Sequence, residues 1–133
     1  METGDRPPGA GNDRIAPENA GGEGVAGDLA VLDRLFRVIE SRRDADPEKS
    51  YVARLLRKGP AKLAQKVGEE AVETAIAAAA LGHQALVEES ADLLFHLLVL
   101  WVGTGVQASE VWAELARREG TSGVDVKKAR PKA

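Results

Sequence analysis

The chain has 133 residues, a formal net charge of -3, 44% hydrophobic and 29% charged residues, and no cysteine. These values are typical of a soluble protein of about one domain. The absence of cysteine excludes disulfides, Cys-liganded zinc, iron–sulfur clusters and thiol nucleophiles, so any chemistry has to come from carboxylates, bases and hydroxyls. The sequence contains no apolar run long enough to span a membrane and no signal-peptide pattern, so we expect a cytoplasmic protein without a membrane partner.

The acidic charge is concentrated at the N-terminus. Residues 1–28 contain six acidic and two basic residues, seven of the 14 glycines and three of the six prolines. Because this stretch has almost no large apolar residues, burial cannot offset the entropy of ordering it, and we predict a disordered leader. The last residues, 119–133, are predicted to be a basic flexible tail. The folded domain is then expected at 29–118.

Helical spacing of apolar residues predicts four main segments within this domain. The first runs from Leu29 to the Asp46-Pro47 pair, and a short helical piece follows Ser50 and stops at Gly59. Pro60 suits the first turn of the next helix, which is expected to reach Leu81-Gly82. Two more helices are predicted at about 84–102 and 109–118. Since no stretch alternates with a period of two, we predict an all-α fold, a short bundle of about four helices.

The helix at about 84–102 indicates an oligomer. Residues 93–102 are apolar on every side except at His96, and a helix that is apolar all round is expected to be buried all round. So few helices can hardly surround one of their own members. We therefore predict a homo-oligomer, most simply a homodimer that completes the bundle.

Two acidic clusters on neighbouring helices predict a metal site. Glu69, Glu70 and Glu73 repeat the spacing of Glu88, Glu89 and Asp92, so each helix carries three carboxylates within one narrow arc. A short turn near Gly82 implies an antiparallel hairpin, in which the two clusters differ in height by only about 3 Å. Facing carboxylates repel unless a cation lies between them, and such oxygen ligands suit Mg²⁺ or Mn²⁺.

Other interpretations of the same acids remain open. Either cluster could be an ordinary solvated helix face, with Lys66 pairing with Glu70 one turn away. A di-iron site is a poor alternative because it expects Glu-x-x-His motifs, which neither His83 nor His96 completes. His96 lies one turn after Asp92, where it is either a hydrogen-bond partner of that residue or a structural histidine.

A basic stripe leads to the first acidic cluster. It consists of Arg54, Arg57, Lys58, Lys62 and Lys66, of which the lysines stand four residues apart. Cations beside a Mg²⁺-binding cluster are what a polyphosphate requires, because the metal bridges phosphate oxygens and lysines neutralise the rest. Each lysine alone could equally be solvated. The sequence has no Walker-type loop and no dinucleotide fingerprint.

Several sequence strings closely resemble the phosphoribosyl-ATP pyrophosphohydrolase family, the second-step enzymes of histidine biosynthesis. They are SYVA at 50–53, KGP at 58–60, QKVGEEAVE at 65–73 and ESADLLFHLLVL at 89–100. The broader pattern of Glu-x-x-Glu followed by Glu-x-x-Asp is shared with MazG-like all-α nucleoside triphosphate pyrophosphohydrolases. The strings around Lys58 and from Lys66 to Glu73 are the more specific ones.

The resemblance implies Mg²⁺-dependent hydrolysis of phosphoribosyl-ATP to phosphoribosyl-AMP and pyrophosphate, hence an ATP-like nucleotide ligand. The family's metal ligands fall on Glu70, Glu73, Glu89 and Asp92. Lys58 and Lys66 would hold phosphates, with Arg54 and Lys62 as weaker candidates, and Glu69 is a possible general base for the attacking water. The cyclohydrolase domain that some relatives carry is not expected here, because the chain has neither the length nor the cysteines for one, and no function is assigned to the leader.

Two rival functions stay open at this point. The first is a house-cleaning pyrophosphohydrolase that acts on damaged or excess nucleoside triphosphates with the same metal site. The second is a non-enzymatic helical interaction module whose charged faces are merely solvated. For these two functions, as for phosphoribosyl-ATP hydrolysis, we expect no nucleic-acid partner.

Overall fold

A computed structural model describes residues 28–131 of the chain. The predicted leader, 1–28, lies outside this range except for Asp28. Six α-helices and one π-helical turn follow in order: α1 (Ala30–Ser41), α2 (Tyr51–Arg57), α3 (Pro60–Ile76), the π-turn (Ala77–Leu81), α4 (His83–Thr104), α5 (Ala108–Arg117) and α6 (Gly123–Ala129). No strand occurs between residues 28 and 131. The all-α prediction is confirmed.

The number of helices exceeds the four main segments that the sequence predicts. The short piece after Ser50 is a separate helix, α2, because Gly59 breaks the chain with a positive φ of 85° before Pro60 starts α3. The other addition is α6, which lies within the predicted tail. It begins after Ser122, whose hydroxyl accepts a hydrogen bond from the Asp125 N–H. With only two valines and one alanine, that segment has too few apolar residues to predict a helix from their spacing.

Helices α3 and α4 form an antiparallel hairpin. Two pairings define their direction: a Cβ at Gly103 near the end of α4 would meet Leu63 near the start of α3, and Thr74 near the end of α3 is hydrogen-bonded to Glu89 near the start of α4. The π-turn closes the hairpin with the Gly82 N–H donating to the Ala77 carbonyl. Gly82 has a φ of 102°, which a residue with a Cβ rarely adopts.

The apolar core lies between α1, α2 and the second half of α4. Its most deeply buried members come from all three helices and are Ile39, Val52, Leu55, Leu98 and Val99. α2 is fixed to this core at its first turn, where Tyr51, Val52 and Ala53 are all buried. The core therefore holds α2 against α4 at the open end of the hairpin, where α3 begins and α4 ends.

The half of the hairpin nearest the π-turn has apolar side chains that the described chain leaves about half exposed. On α3, Val72 is 49% and Ile76 42% exposed; on α4, Val87 is 50% and Leu94 45% exposed. The two pairs are spaced four and seven residues apart, so each forms a stripe along its helix. The sequence predicted that a second subunit would cover part of α4, and in the single chain Val87 and Leu94 are exposed.

None of the described helices combines the length and the apolar character that crossing a membrane requires.

Candidate metal and phosphate site

The hairpin brings three predicted metal ligands together. Glu70 and Glu73 lie one turn apart on α3, and Glu89 lies opposite them on α4. One carboxylate oxygen of each lies within 4.8 Å of one oxygen of the other two. Glu70 and Glu89 are buried and Glu73 is partly buried, so this group is enclosed on one side and open on the other. The sequence-based expectation of two acid clusters at matched heights agrees with this geometry.

Glu70 is the electrostatic centre of the group. Burial, followed by the charge of Glu73 and a hydrogen bond with it, raises the pKa of the Glu70 carboxyl to about 7, and the charges of Asp92 and Glu89 add to the effect. Asp92 is outside the group of three mutually close oxygens but near enough for its charge to act on Glu70. The Glu70 Oε2 atom is buried and has no hydrogen-bond partner among residues 28–131.

These residues fit a hard divalent cation. A buried carboxylate oxygen with no protein partner is costly, and it is stabilised when a cation takes the place of the missing donor. The donors are carboxylates alone, the set that Mg²⁺ or Mn²⁺ prefers over softer metals. Glu70, Glu73 and Glu89 would hold the ion directly, with Asp92 beside them.

His96 packs against this group from the core side. Its Nδ1 lies 2.8 Å from the backbone carbonyl of Asp92 and 4.0 Å from Oε1 of Glu70, and its Nε2 lies 3.3 Å from the Tyr51 hydroxyl. Because the carbonyl can only accept, Nδ1 donates, and in a neutral ring Nε2 then accepts from Tyr51. His96 is thus a buried link between α2 and the acidic group, and it is bonded to the backbone carbonyl of Asp92.

Thr74 is a part of the site that the sequence analysis missed. Its hydroxyl lies 2.7 Å from the backbone carbonyl of Glu70 and 3.1 Å from that of Glu89. A threonine four residues after a glutamate is usual on a helix, and only knowledge of the opposing helix shows that the hydroxyl reaches both ligand residues. The sequence feature that could have indicated this contact is the matched height of the two acid clusters, because it places residue 74 close to α4.

Glu69 points along its own helix instead of joining the three clustered acids. Its side chain accepts a hydrogen bond from Gln65 at 2.9 Å and lies 3.8 Å from the Lys66 ammonium, and it is 44% exposed. The Lys66 side chain is only 15% exposed. Lys62 continues the stripe by donating to Gln65 over 3.3 Å. The predicted general base and the predicted phosphate ligand Lys66 are therefore direct neighbours.

The remaining basic candidates lie on α2 and its end. Arg54 is exposed and its guanidinium carbon lies 6.0 Å from the centre of the Tyr51 ring, at the distance of a cation–π contact. Lys58 is exposed and terminates α2 immediately before Gly59. Since Tyr51 also contacts His96, Arg54 is tied through one ring to the residue that packs against the acidic group.

Sequence comparison identifies the family. The family described as phosphoribosyl-ATP pyrophosphohydrolase matches residues 32–119, which include every helix from α2 to α5. A phosphoribosyl-ATP pyrophosphatase of Paramagnetospirillum magneticum is 57% identical over 108 residues, 81% of this chain and 99% of the relative. Proteins of the same name from Azospirillum brasilense and Erythrobacter litoralis are 56% identical over 76% of this chain and 58% identical over 77%, covering 91% and 98% of their own lengths. The chain therefore belongs to the phosphoribosyl-ATP pyrophosphohydrolase family.

Proposed function

We propose that this chain hydrolyses phosphoribosyl-ATP to phosphoribosyl-AMP and pyrophosphate in a Mg²⁺-dependent reaction of histidine biosynthesis, with Mn²⁺ as an alternative ion. Family membership supports a hydrolase that acts on a phosphoanhydride. The observation that carries the metal dependence is the group formed by Glu70, Glu73 and Glu89. We propose Asp92 as the fourth ligand residue because its charge acts on Glu70.

Each part of the site has a chemical task in this proposal. An ion held by Glu70, Glu73 and Glu89, with Asp92 beside them, would supply Lewis-acid chemistry for the hydrolysis. Lys66 and Lys58, with Arg54 and Lys62 beside them, neutralise the charge of the triphosphate and of the leaving pyrophosphate. Glu69 accepts the proton of the attacking water, and its neighbour Lys66 keeps that carboxylate close to the phosphates.

We also propose that the protein works as a homodimer in the cytoplasm. The exposed apolar stripes on α3 and α4 support the dimer, since a second hairpin would cover them. No nucleic-acid partner is needed for this function.

A turnover assay separates the proposed function from its rivals. The full chain is incubated with phosphoribosyl-ATP and, separately, with canonical and modified nucleoside triphosphates, each with Mg²⁺ and with EDTA. Pyrophosphate and the matching monophosphate are then measured. We expect strong preference for phosphoribosyl-ATP and no turnover in EDTA. Preference for a free triphosphate would indicate the house-cleaning function instead. No turnover of any candidate would favour the interaction module.

Substitutions test the ligand set in the same assay. Glu70→Ala and Asp92→Ala should abolish Mg²⁺-dependent turnover. Glu88→Ala is the matched control, because Glu88 is an exposed acid directly before Glu89. Full turnover by the Glu70 or Asp92 variant would refute the proposed ligands.

A further inference from the structure

We propose that Thr74 is a positioning residue that fixes the distance between α3 and α4 at the metal ligands and so sets the affinity for the ion. This inference rests on the proposed metal site and concerns a residue that does not itself touch the ion. Its basis is the position of one hydroxyl between two backbone carbonyls, at 2.7 Å from that of Glu70 and at 3.1 Å from that of Glu89.

The two carbonyls belong to ligand residues on opposite helices. A threonine hydroxyl commonly donates to the carbonyl four residues earlier, which is the bond to Glu70. The second acceptor is unusual because it lies on the neighbouring helix, so the single proton of Thr74 is shared across the hairpin. Thr74 is partly buried at this point. The backbone of α3 is thereby tied to the backbone of α4 at the height of the carboxylates.

The site needs such a tie because its own charges push the helices apart. The oxygens of Glu70, Glu73 and Glu89 lie within 4.8 Å of one another. Without a cation between them, the repulsion of Glu89 on α4 by Glu70 and Glu73 on α3 acts along the line that separates the two helices. Mg²⁺ demands near-ideal geometry, with oxygen ligands at about 2.0–2.1 Å. A small widening of the hairpin would therefore weaken binding, and Thr74 opposes that widening.

A valine at this position isolates the effect of the hydroxyl. Valine keeps the branched shape, so packing between the helices is retained, while the hydrogen-bond donor is lost. Both carbonyls lie inside helices and keep their backbone N–H partners. The overall fold should therefore tolerate Thr74→Val, and serine should restore the bond because it retains the hydroxyl.

Thr104 offers a matched control on the same hairpin. Its hydroxyl donates to the carbonyl of Leu100 at 2.7 Å, the same local bond that Thr74 makes to Glu70. Its second acceptor, the Trp101 carbonyl at 3.3 Å, lies on its own helix rather than on the opposite one. Thr104→Val thus removes an equivalent hydroxyl whose two acceptors both lie on α4.

The test is direct Mn²⁺ binding to the full chain, measured by calorimetry without substrate, together with thermal unfolding in EDTA. We expect Thr74→Val to raise the Mn²⁺ dissociation constant about tenfold, the lower range of what losing an outer-shell partner costs. Thr74→Ser and Thr104→Val should stay within about twofold of the wild type. In EDTA both Thr74→Val and Thr104→Val should unfold in a single cooperative transition, which shows that each variant is folded before the ion is added.

The outcomes separate this inference from the proposed function. Mn²⁺ binding by the wild type and equally tight binding by Thr74→Val would overturn the role of Thr74 and leave the metal site standing. Weak binding by Thr74→Ser would also overturn it, because the hydroxyl would then not be the cause. A lower unfolding midpoint with unchanged affinity would assign Thr74 to general stability. Absence of Mn²⁺ binding by the wild type would remove the metal site and this inference together.

Discussion

Glu70 combines burial with three acidic neighbours, and this combination makes the metal-free protein sensitive to pH. Its pKa is raised from 4.5 to about 7, mainly by burial and by Glu73. The folded state therefore binds a proton more tightly than the unfolded state does. The stabilisation that this proton gives the folded state is fully present below about pH 4.5 and is lost as the pH rises through about 7. A cation bound at the carboxylates would offset that loss, which links ion binding to stability.

Replacing Glu70 by glutamine should remove this pH dependence. In EDTA, Glu70→Gln should become increasingly more stable than the wild type as the pH rises from 4.5 to 7.5, by about 2–3 kcal/mol in free energy of unfolding at the upper end. Denaturant unfolding at several pH values measures the difference. A gap that stays constant with pH would contradict the raised pKa.

Glu114 on α5 supplies a control of opposite sign. Hydrogen bonds from Arg117 and Arg118 lower the pKa of its carboxyl to about 2. The ionised Glu114 carboxylate therefore stabilises the folded state above its ordinary pKa of about 4.5, and this stabilisation is lost as the pH falls toward 2. Glu114→Gln should accordingly lose stability relative to the wild type at neutral pH and approach it in acid.

Glu69 and Glu88 occupy equivalent positions, and their comparison tests the general base. Each is an exposed acid directly before a buried one, and each accepts a hydrogen bond from a glutamine four residues earlier. Only Glu69 has a lysine beside it, Lys66 at 3.8 Å. We expect Glu69→Gln to lower kcat about 10²- to 10⁴-fold, the usual contribution of a general base, while Mn²⁺ affinity stays unchanged. Glu88→Gln should retain wild-type kcat. Equal kcat values for both variants would show that Glu69 is a peripheral acid.

At the level of the helix, α2 and α6 begin with the same cap but differ in their packing. The Ser50 hydroxyl accepts from the Ala53 N–H at 3.1 Å, and the Ser122 hydroxyl accepts from the Asp125 N–H at 3.1 Å. Ser50 is buried and starts a helix whose first turn lies in the core, whereas Ser122 is exposed. Loss of the first cap should therefore propagate to the core, and loss of the second should remain local.

The two caps predict different thermal stabilities. Ser50→Ala should lower the free energy of global unfolding by about 1–2 kcal/mol, because the buried N–H loses its acceptor and α2 loses its start. Ser122→Ala should change it by less than about 0.5 kcal/mol, the range of ordinary surface substitutions. Thermal unfolding followed by circular dichroism measures both. Equal losses would mean that α6 unfolds cooperatively with the core.

Helix periodicity and capping residues carried enough information to predict the central elements. The spacing of Glu69, Glu70 and Glu73 against Glu88, Glu89 and Asp92 placed the acids at one height, which required only the rise of a helix and the turn at Gly82. The contacts of Thr74 and Tyr51 were not predictable in this way. Thr74 contacts Glu89 on α4, and Tyr51 contacts His96 on the same helix. Such contacts depend on how two helices pack against each other, and the periodicity within one helix carries no information about that.

At the scale of the whole molecule, the single chain leaves its hairpin half covered. The core buries the side of α4 that includes Leu98, Val99 and Val102, while Val87 and Leu94 remain exposed on the same helix. The exposed stripe of α3, Val72 and Ile76, adds further apolar surface. It lies close in sequence to Glu70 and Glu73. A monomer rarely leaves such stripes open, whereas a second copy of the hairpin would cover them by symmetry.

A charge in this stripe should dissociate the predicted dimer. We expect the wild-type chain of 14.1 kDa to sediment at twice that mass at micromolar concentration, and Leu94→Glu to shift it toward the monomer, because the dimer would have to bury an unpaired carboxylate. Leu115→Glu is the matched control, since Leu115 is 54% exposed but lies on α5, outside the hairpin. Sedimentation equilibrium over a concentration series measures all three. A monomeric wild type would refute the dimer, and dissociation by Leu115→Glu alone would move the interface to α5.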